Sequence, residues 1–200
     1  MCETNGNIEK FVIESLRKLK MEYIDLLLIH WPFEKYLRNT WQTMENLYEQ
    51  GIVKYIGICN VNERIMNKFI KDNMFRKYFP QVVQNEISPL RTCDKEIGYY
   101  KDMNLIIQAY SPLCRMNDQI RNSETLGLLA KKYNKNIGQV ILRWHIDKGI
   151  IPIFTSTKPE RIQSNLDIFN FTLSKEDIEL INSMNKNYKI FLESYGCPGI

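Results

Sequence analysis

Five short apolar runs in this chain each end on groups that can hydrogen-bond or stack. The ends are His30-Trp31, Cys59-Asn60, Gln84 with Glu86, Tyr110-Ser111 and Thr155-Ser156. An imidazole can polarise a carbonyl or move a proton. Amides and hydroxyls orient polar ligands, and a phenol ring offers a stacking face. Each of these groups also makes an ordinary cap or turn, so what counts is that all five ends carry them. The run Thr155-Ser-Thr-Lys-Pro159, with Arg161 shortly after it, adds hydroxyls, cations and the free N–H groups of a helix start. That combination suits a phosphate, and a plain Ser/Thr-rich cap reads the same way. His145 differs from these: mid-helix beside Trp144, it reads as a packing or surface residue.

These groups need elements to carry them. Ile24–Ile29, with Asp25 its one polar residue, has the length of a buried strand and is too short for a membrane span. Pro32 ends it, since proline can neither donate to a ladder nor continue a helix. Tyr55–Cys59, Gln81–Glu86, Asn104–Tyr110 and Gly149–Thr155 read as four more strands. Helical spacing marks segments starting at Ile8, Thr40–Gln50 with Gly51 as C-cap, the stretch around Ile65–Ile70, Asp94–Asp102, Ser123–Tyr133, Ile137–Lys148 and Pro159–Phe169. Asn5-Gly6-Asn7 supplies turn and cap residues ahead of the first. Ser174-Lys-Glu-Asp177 reads as a capping box opening a last helix, and residues 188–200 form a C-terminal tail. Strands alternating with helices predict an α/β fold with about five parallel strands, each followed by a helix. No low-complexity linker interrupts residues 1–200, so a single domain is expected.

Composition narrows the class. Charged residues make up 25% and hydrophobic ones 44% of the 200 residues, an ordinary globular balance. The net charge of +4 comes without a Lys/Arg block, which gives nucleic-acid binding no support. No apolar stretch is long enough to cross a membrane. Five dispersed cysteines without a CxxC pair or signal-peptide pattern favour a cytoplasmic protein with free thiols. No metal-ligand spacing is evident. GxGxxG and the P-loop pattern are absent, which removes the main support for Rossmann and Walker readings.

Taken in order, LLLIHWP, MENLYEQGIVKYIGICN, VVQNEISP, AYSPL and PIFTSTKPERIQSNL resemble the aldo-keto reductases, over about Ile8 to Met184. The resemblance implies a (β/α)8 TIM-barrel fold that binds NADPH, less often NADH, and reduces small carbonyl substrates to alcohols. It gives His30 the role of active-site histidine and Trp31 that of a substrate-pocket wall. Asn60 and Gln84 would hold the nicotinamide carboxamide, and Tyr110 would stack on the ring. Ser111 and Leu113 would run along the pyrophosphate, with Ser156, Arg161 and Asn165 around the adenosine and its 2′-phosphate.

Some positions depart from the family pattern. Cys59 stands where serine is usual, Val61 where an aromatic commonly follows, Ser164 where a carboxylate often meets the adenine, and Thr155 near a usual basic residue. A preference for the 2′-phosphate then rests on Arg161 and Lys158. The family's catalytic set is Asp, Tyr, Lys and His, and its first three members belong upstream of the helix that begins near Ile8. Residues 1–7 (MCETNGN) hold none of the three. The expectation is therefore an incomplete barrel: strands four to eight, impaired turnover, and open sheet edges that invite self-association. The alternative is a non-catalytic, cofactor-binding or regulatory relative.

Overall fold

The computed structural model describes residues 8–191. The strands are β1 (Ile24–Ile29), β2 (Val53–Cys59), β3 (Val82–Glu86), β4 (Ile106–Tyr110) and β5 (Ile150–Ile153). They form a parallel sheet in chain order, β1-β2-β3-β4-β5. The helices are α1 (Ile8–Leu19), α2 (Glu34–Glu49), α3 (Glu63–Lys71), α4 (Asp94–Asp102), α5 (Asp118–Arg121), α6 (Glu124–Tyr133), α7 (Ile137–Asp147), α8 (Pro159–Leu166) and α9 (Lys175–Asn182). The chain divides into two compact units. Among the described residues, one comprises 8–84 and 96–106, the other 85–95 and 107–191. The expected Asn5-Gly6-Asn7 cap, Cys2, Cys197 and most of the tail lie outside the described residues.

In the first unit α2 supplies the core, burying Leu37, Trp41, Met44 and Leu47. The helix begins at Glu34, six residues before the expected Thr40, because Leu37 extends the buried stripe back by one turn. At its far end Gly51, at φ 72°, takes the left-handed conformation that a side chain would penalise. Buried Glu45 accepts hydrogen bonds from the N–H groups of Lys77 (2.7 Å) and Tyr78 (2.9 Å), and Trp41 Nε1 donates to the Tyr78 carbonyl at 3.0 Å. These three bonds fix the loop that leads into β3. Gly57 lies opposite Leu28 and Val82 in the ladder. A Cβ there would meet the Val82 carbonyl oxygen at 2.4 Å and Leu28 Cδ2 at 2.7 Å, so no larger residue fits.

The second unit is built around α7, which buries Val140, Ile141, Leu142, Trp144 and His145. It opens with a reciprocal capping box. Gln139 N–H donates to Asn136 Oδ1 at 2.9 Å, and Asn136 N–H donates to Gln139 Oε1 at 3.0 Å. The box expected at Ser174 is half present. Ser174 Oγ accepts from Asp177 N–H at 3.2 Å, but the Asp177 carboxylate turns to Lys132 (2.6 Å) and the Tyr133 hydroxyl. The Ser174 N–H that the box would have satisfied donates to the Tyr133 oxygen instead, at 3.0 Å. Aspartate is one methylene shorter than the glutamate of a full box, and here it has a cation and a phenol within reach. Two other ends fall short of expectation: β5 stops at Ile153 and α8 at Leu166.

Candidate functional site

In the first unit the ends of β1, β2 and β3 are tied together by Asn60. Its side-chain amide donates to the His30 carbonyl at 2.8 Å, and its backbone N–H donates to the Gln84 carbonyl at 3.0 Å. The residue sits at φ 58°, in the left-handed region that asparagine tolerates better than most side chains. One buried asparagine thus fixes where His30 and Gln84 begin. The rings of His30 and Trp31 lie 5.2 Å apart, tilted by 38°. Partial desolvation lowers the His30 pKa from its ordinary value, which favours the neutral imidazole. Cys59, where the family prefers serine, is buried and its thiol is pushed up to about 12, which disqualifies it as a nucleophile. His30 and Trp31 also border an apolar cavity of about 350 Å³, with Phe11, Leu27, Tyr36 and Met44 on its walls.

In the second unit a cleft of about 1200 Å³ gathers Ser111, Leu113, Ser156, Arg161 and Asn165. These are five of the six cofactor-binding residues expected in that unit. Tyr110, the sixth, is not in the lining; its ring packs edge-on against Phe191, 5.7 Å away, which is. The cleft is also walled by Arg115, Arg121 and Lys131. Counting Arg161, four cations and no carboxylate line it. Ser156 Oγ accepts from Lys158 N–H at 3.2 Å, just ahead of α8, so the hydroxyl does serve as a turn-former, and it lines the cleft as well.

Arg115, Asn136, Gly138 and Phe191 are cleft residues that the sequence reading missed. The Asn136-x-x-Gln139 spacing was a legible cap, but nothing in the sequence linked it to a site. Arg115 could not be foreseen, because Ser111, Cys114, Arg115 and Met116 all adopt positive φ, between 48° and 52°. Non-glycine residues rarely do so in such a cluster, and strain of this kind concentrates at functional sites. His145 lies outside both clusters. It is fully buried, with Nδ1 2.8 Å from the Ile141 carbonyl and Nε2 3.0 Å from that of Ile87, a packing role as expected.

The class is now defined by an independent comparison. The profile of the Aldo/keto reductase family matches residues 2–186. The chain belongs to that family, and its five parallel strands are part of the family's (β/α)8 barrel. Glyoxal reductase of Bacillus subtilis is 37% identical over 177 residues, 88% of this chain and 62% of that protein. The crystal structure of a Bombyx mori aldo-keto reductase in complex with NADP has a TM-score of 0.83 and 32% identity, covering 92% of this chain and 65% of the other. A Gox0644 variant crystallised with NADPH has a TM-score of 0.85 and 28% identity, covering 94% and 68%. The chain thus spans about 62% of the length of the curated relative. Among the described residues no helix is long and apolar enough to cross a membrane, and no group of His, Cys, Asp or Glu could hold a metal ion.

Proposed function

We propose that this chain is an NADPH-binding oxidoreductase polypeptide acting on small aldehydes or ketones. The observation that carries the reading is the cleft of the second unit: four cations, no carboxylate, and five of the six contacts expected in that unit in its lining. Such a lining fits a polyanion with a flat heterocycle at one end. Arg161 and Ser156 would hold the 2′-phosphate and adenosine, Ser111 and Leu113 the pyrophosphate, and Asn165 the adenine end. Asn60 and Gln84 would orient the carboxamide, with Tyr110 as the stacking face. When bound, NADPH supplies the hydride for the carbonyl carbon. His30, its neutral form favoured, donates a hydrogen bond to the carbonyl oxygen, and Trp31 limits the size of what enters.

Of the family's four catalytic residues, His30 is the one carried by these 200 residues, because residues 1–7 contain no Asp, Tyr or Lys. Losing a general acid costs on the order of 10²–10⁴ in rate. Impaired turnover by this chain alone is part of the proposal. The free thiols of Cys59, Cys93 and Cys114 support a reducing, cytoplasmic setting. Among the described residues β1 pairs only with β2 and β5 only with β4, which supports association through those edges.

The test is NADPH fluorescence titration with and without glyoxal or methylglyoxal. NADPH should bind, and Arg161→Ala should weaken it about tenfold, the loss expected for a charge-assisted hydrogen bond, while NADH binding changes little. Oxidation of NADPH should be slow. Absence of NADPH binding would refute the assignment, and fast turnover would refute the impairment.

A further inference from the structure

Glu86 ends β3 with its carboxylate buried, at 2% exposure. Arg91 Nη1 donates to the Glu86 main-chain carbonyl at 2.7 Å, but among the described residues no lysine, arginine or histidine is hydrogen-bonded to the carboxylate. Its partners are two backbone N–H groups near the end of the described chain: Ile190 donates to Oε1 at 2.7 Å and Phe191 to Oε2 at 3.3 Å. Buried carboxyl oxygens are costly unless donors satisfy them, and these two N–H groups do so. Residues 188–191 therefore form a strap whose departure would leave those oxygens without partners.

The strap is fastened at other points as well. Lys186 N–H and Tyr188 N–H both donate to the Leu90 carbonyl at 3.0 Å, and Lys186 Nζ donates to Gln119 Oε1 at 2.8 Å. The strap ends in Phe191, which lines the cation-rich cleft. Its ring meets Tyr110 edge-on and carries the Arg115 guanidinium 4.9 Å from its centre. Arg115 is one of the four cleft cations and sits on the strained left-handed segment. The strap thus holds in place a charge that the cleft presents to its ligand.

We propose that Glu86 is a positioning residue: it clamps the strap 188–191 as a movable wall of the cofactor cleft, so that strap docking and cofactor residence are coupled. This rests on the cofactor reading above. Release of the strap frees Phe191 and the Arg115 guanidinium together, opening one wall and withdrawing one cation. By linkage, a bound cofactor must hold the strap down as strongly as the strap holds the cofactor.

The test uses the full chain and two variants. Glu86→Gln leaves one strap N–H facing an amide N–H. Ile190→Pro removes the 2.7 Å donor at a half-buried bend. Limited trypsin digestion, read by mass spectrometry, follows cleavage after Lys186, because proline at 190 would block the cut after Lys189 in one variant. Both variants should be cut there about tenfold faster than wild type, since such proteolysis tracks the open population. NADPH should slow the same cuts in wild type, and its stopped-flow release should be about threefold or more faster from both variants, because interface changes appear mainly in dissociation. Equal cutting rates overturn the clamp. Faster cutting with unchanged NADPH release, or no protection by NADPH, overturns the coupling. Failure of wild type to bind NADPH at all overturns the cofactor reading, while the apo digestion still reads the clamp by itself.

Discussion

His145 gives a prediction whose sign separates two opposing forces. The residue is fully buried, and both ring nitrogens face carbonyl oxygens, at 2.8 and 3.0 Å. A neutral imidazole has one N–H and can satisfy only one of them, whereas an imidazolium would satisfy both. Burial opposes the charge more strongly than the two carbonyls favour it, and the pKa is lowered to about 4. In the unfolded chain it returns to about 6.5. Between these values the unfolded state binds more protons, so stability rises with pH across the window. The contribution is complete above about pH 6.5 and gone near pH 4. At 1.36 kcal/mol per unit the full effect is roughly 3 kcal/mol. The assay is urea unfolding at pH 7 and pH 4.5 for wild type and His145→Gln, whose amide can donate to both carbonyls and does not titrate. Wild type should lose roughly 2 kcal/mol more than the variant between the two pH values. If both lose the same, burial does not control the group. If wild type loses less, the carbonyls win, and the reasoning is wrong in sign.

The remaining predictions concern packing and caps. Gly57→Ala should destabilise by roughly 1–3 kcal/mol, toward the upper end because the nearest atom to the new Cβ is a backbone oxygen at 2.4 Å; the urea midpoint reports it. Asn136→Ala removes the side-chain arm of the α7 box, the acceptor of the Gln139 N–H, and should cost about 1 kcal/mol, read the same way, with a matching loss of amide protection at Gln139 in hydrogen exchange. Tyr133→Phe removes the bond to Asp177 and leaves the Ser174 N–H without its acceptor, for a loss of about 1–3 kcal/mol, seen as a lower thermal midpoint.

The strand ends were legible because the chemistry and the element boundary coincide in sequence. His30-Trp31-Pro32 closes an apolar run, and Pro32 marks where the strand must stop. The alternation of strands and helices, and the full extent of α4, followed from periodicity in the same way. The start of α2 was missed because Leu37 sits among polar residues and declares itself only when its partners Trp41 and Met44 are buried with it. Asp177 was misassigned because a capping box is a local pattern, while the groups that capture its carboxylate, Lys132 and Tyr133, lie more than forty residues away. Glu86 escaped notice as a clamp for a related reason. Its donors are the N–H groups of Ile190 and Phe191, and backbone donors leave no trace in residue types.

The cations that would grip a phosphate, Arg115, Arg121, Lys131 and Arg161, belong to one compact unit and to a chain segment downstream of Tyr110. The groups that would face a carbonyl, His30 and Trp31, belong to the other unit, with Asn60 fixing their strand end. Anion binding depends on charge and on a cleft that α7 and α8 build from their own capping and packing. Carbonyl chemistry depends on a proton donor held at a few ångströms, where small displacements cost much of the rate. The two requirements therefore differ in how much of the fold they need. On the proposed reading, a chain that keeps the second unit intact would keep its hold on a polyanionic cofactor, whatever becomes of turnover, and NADPH binding rather than rate is the property that tests it.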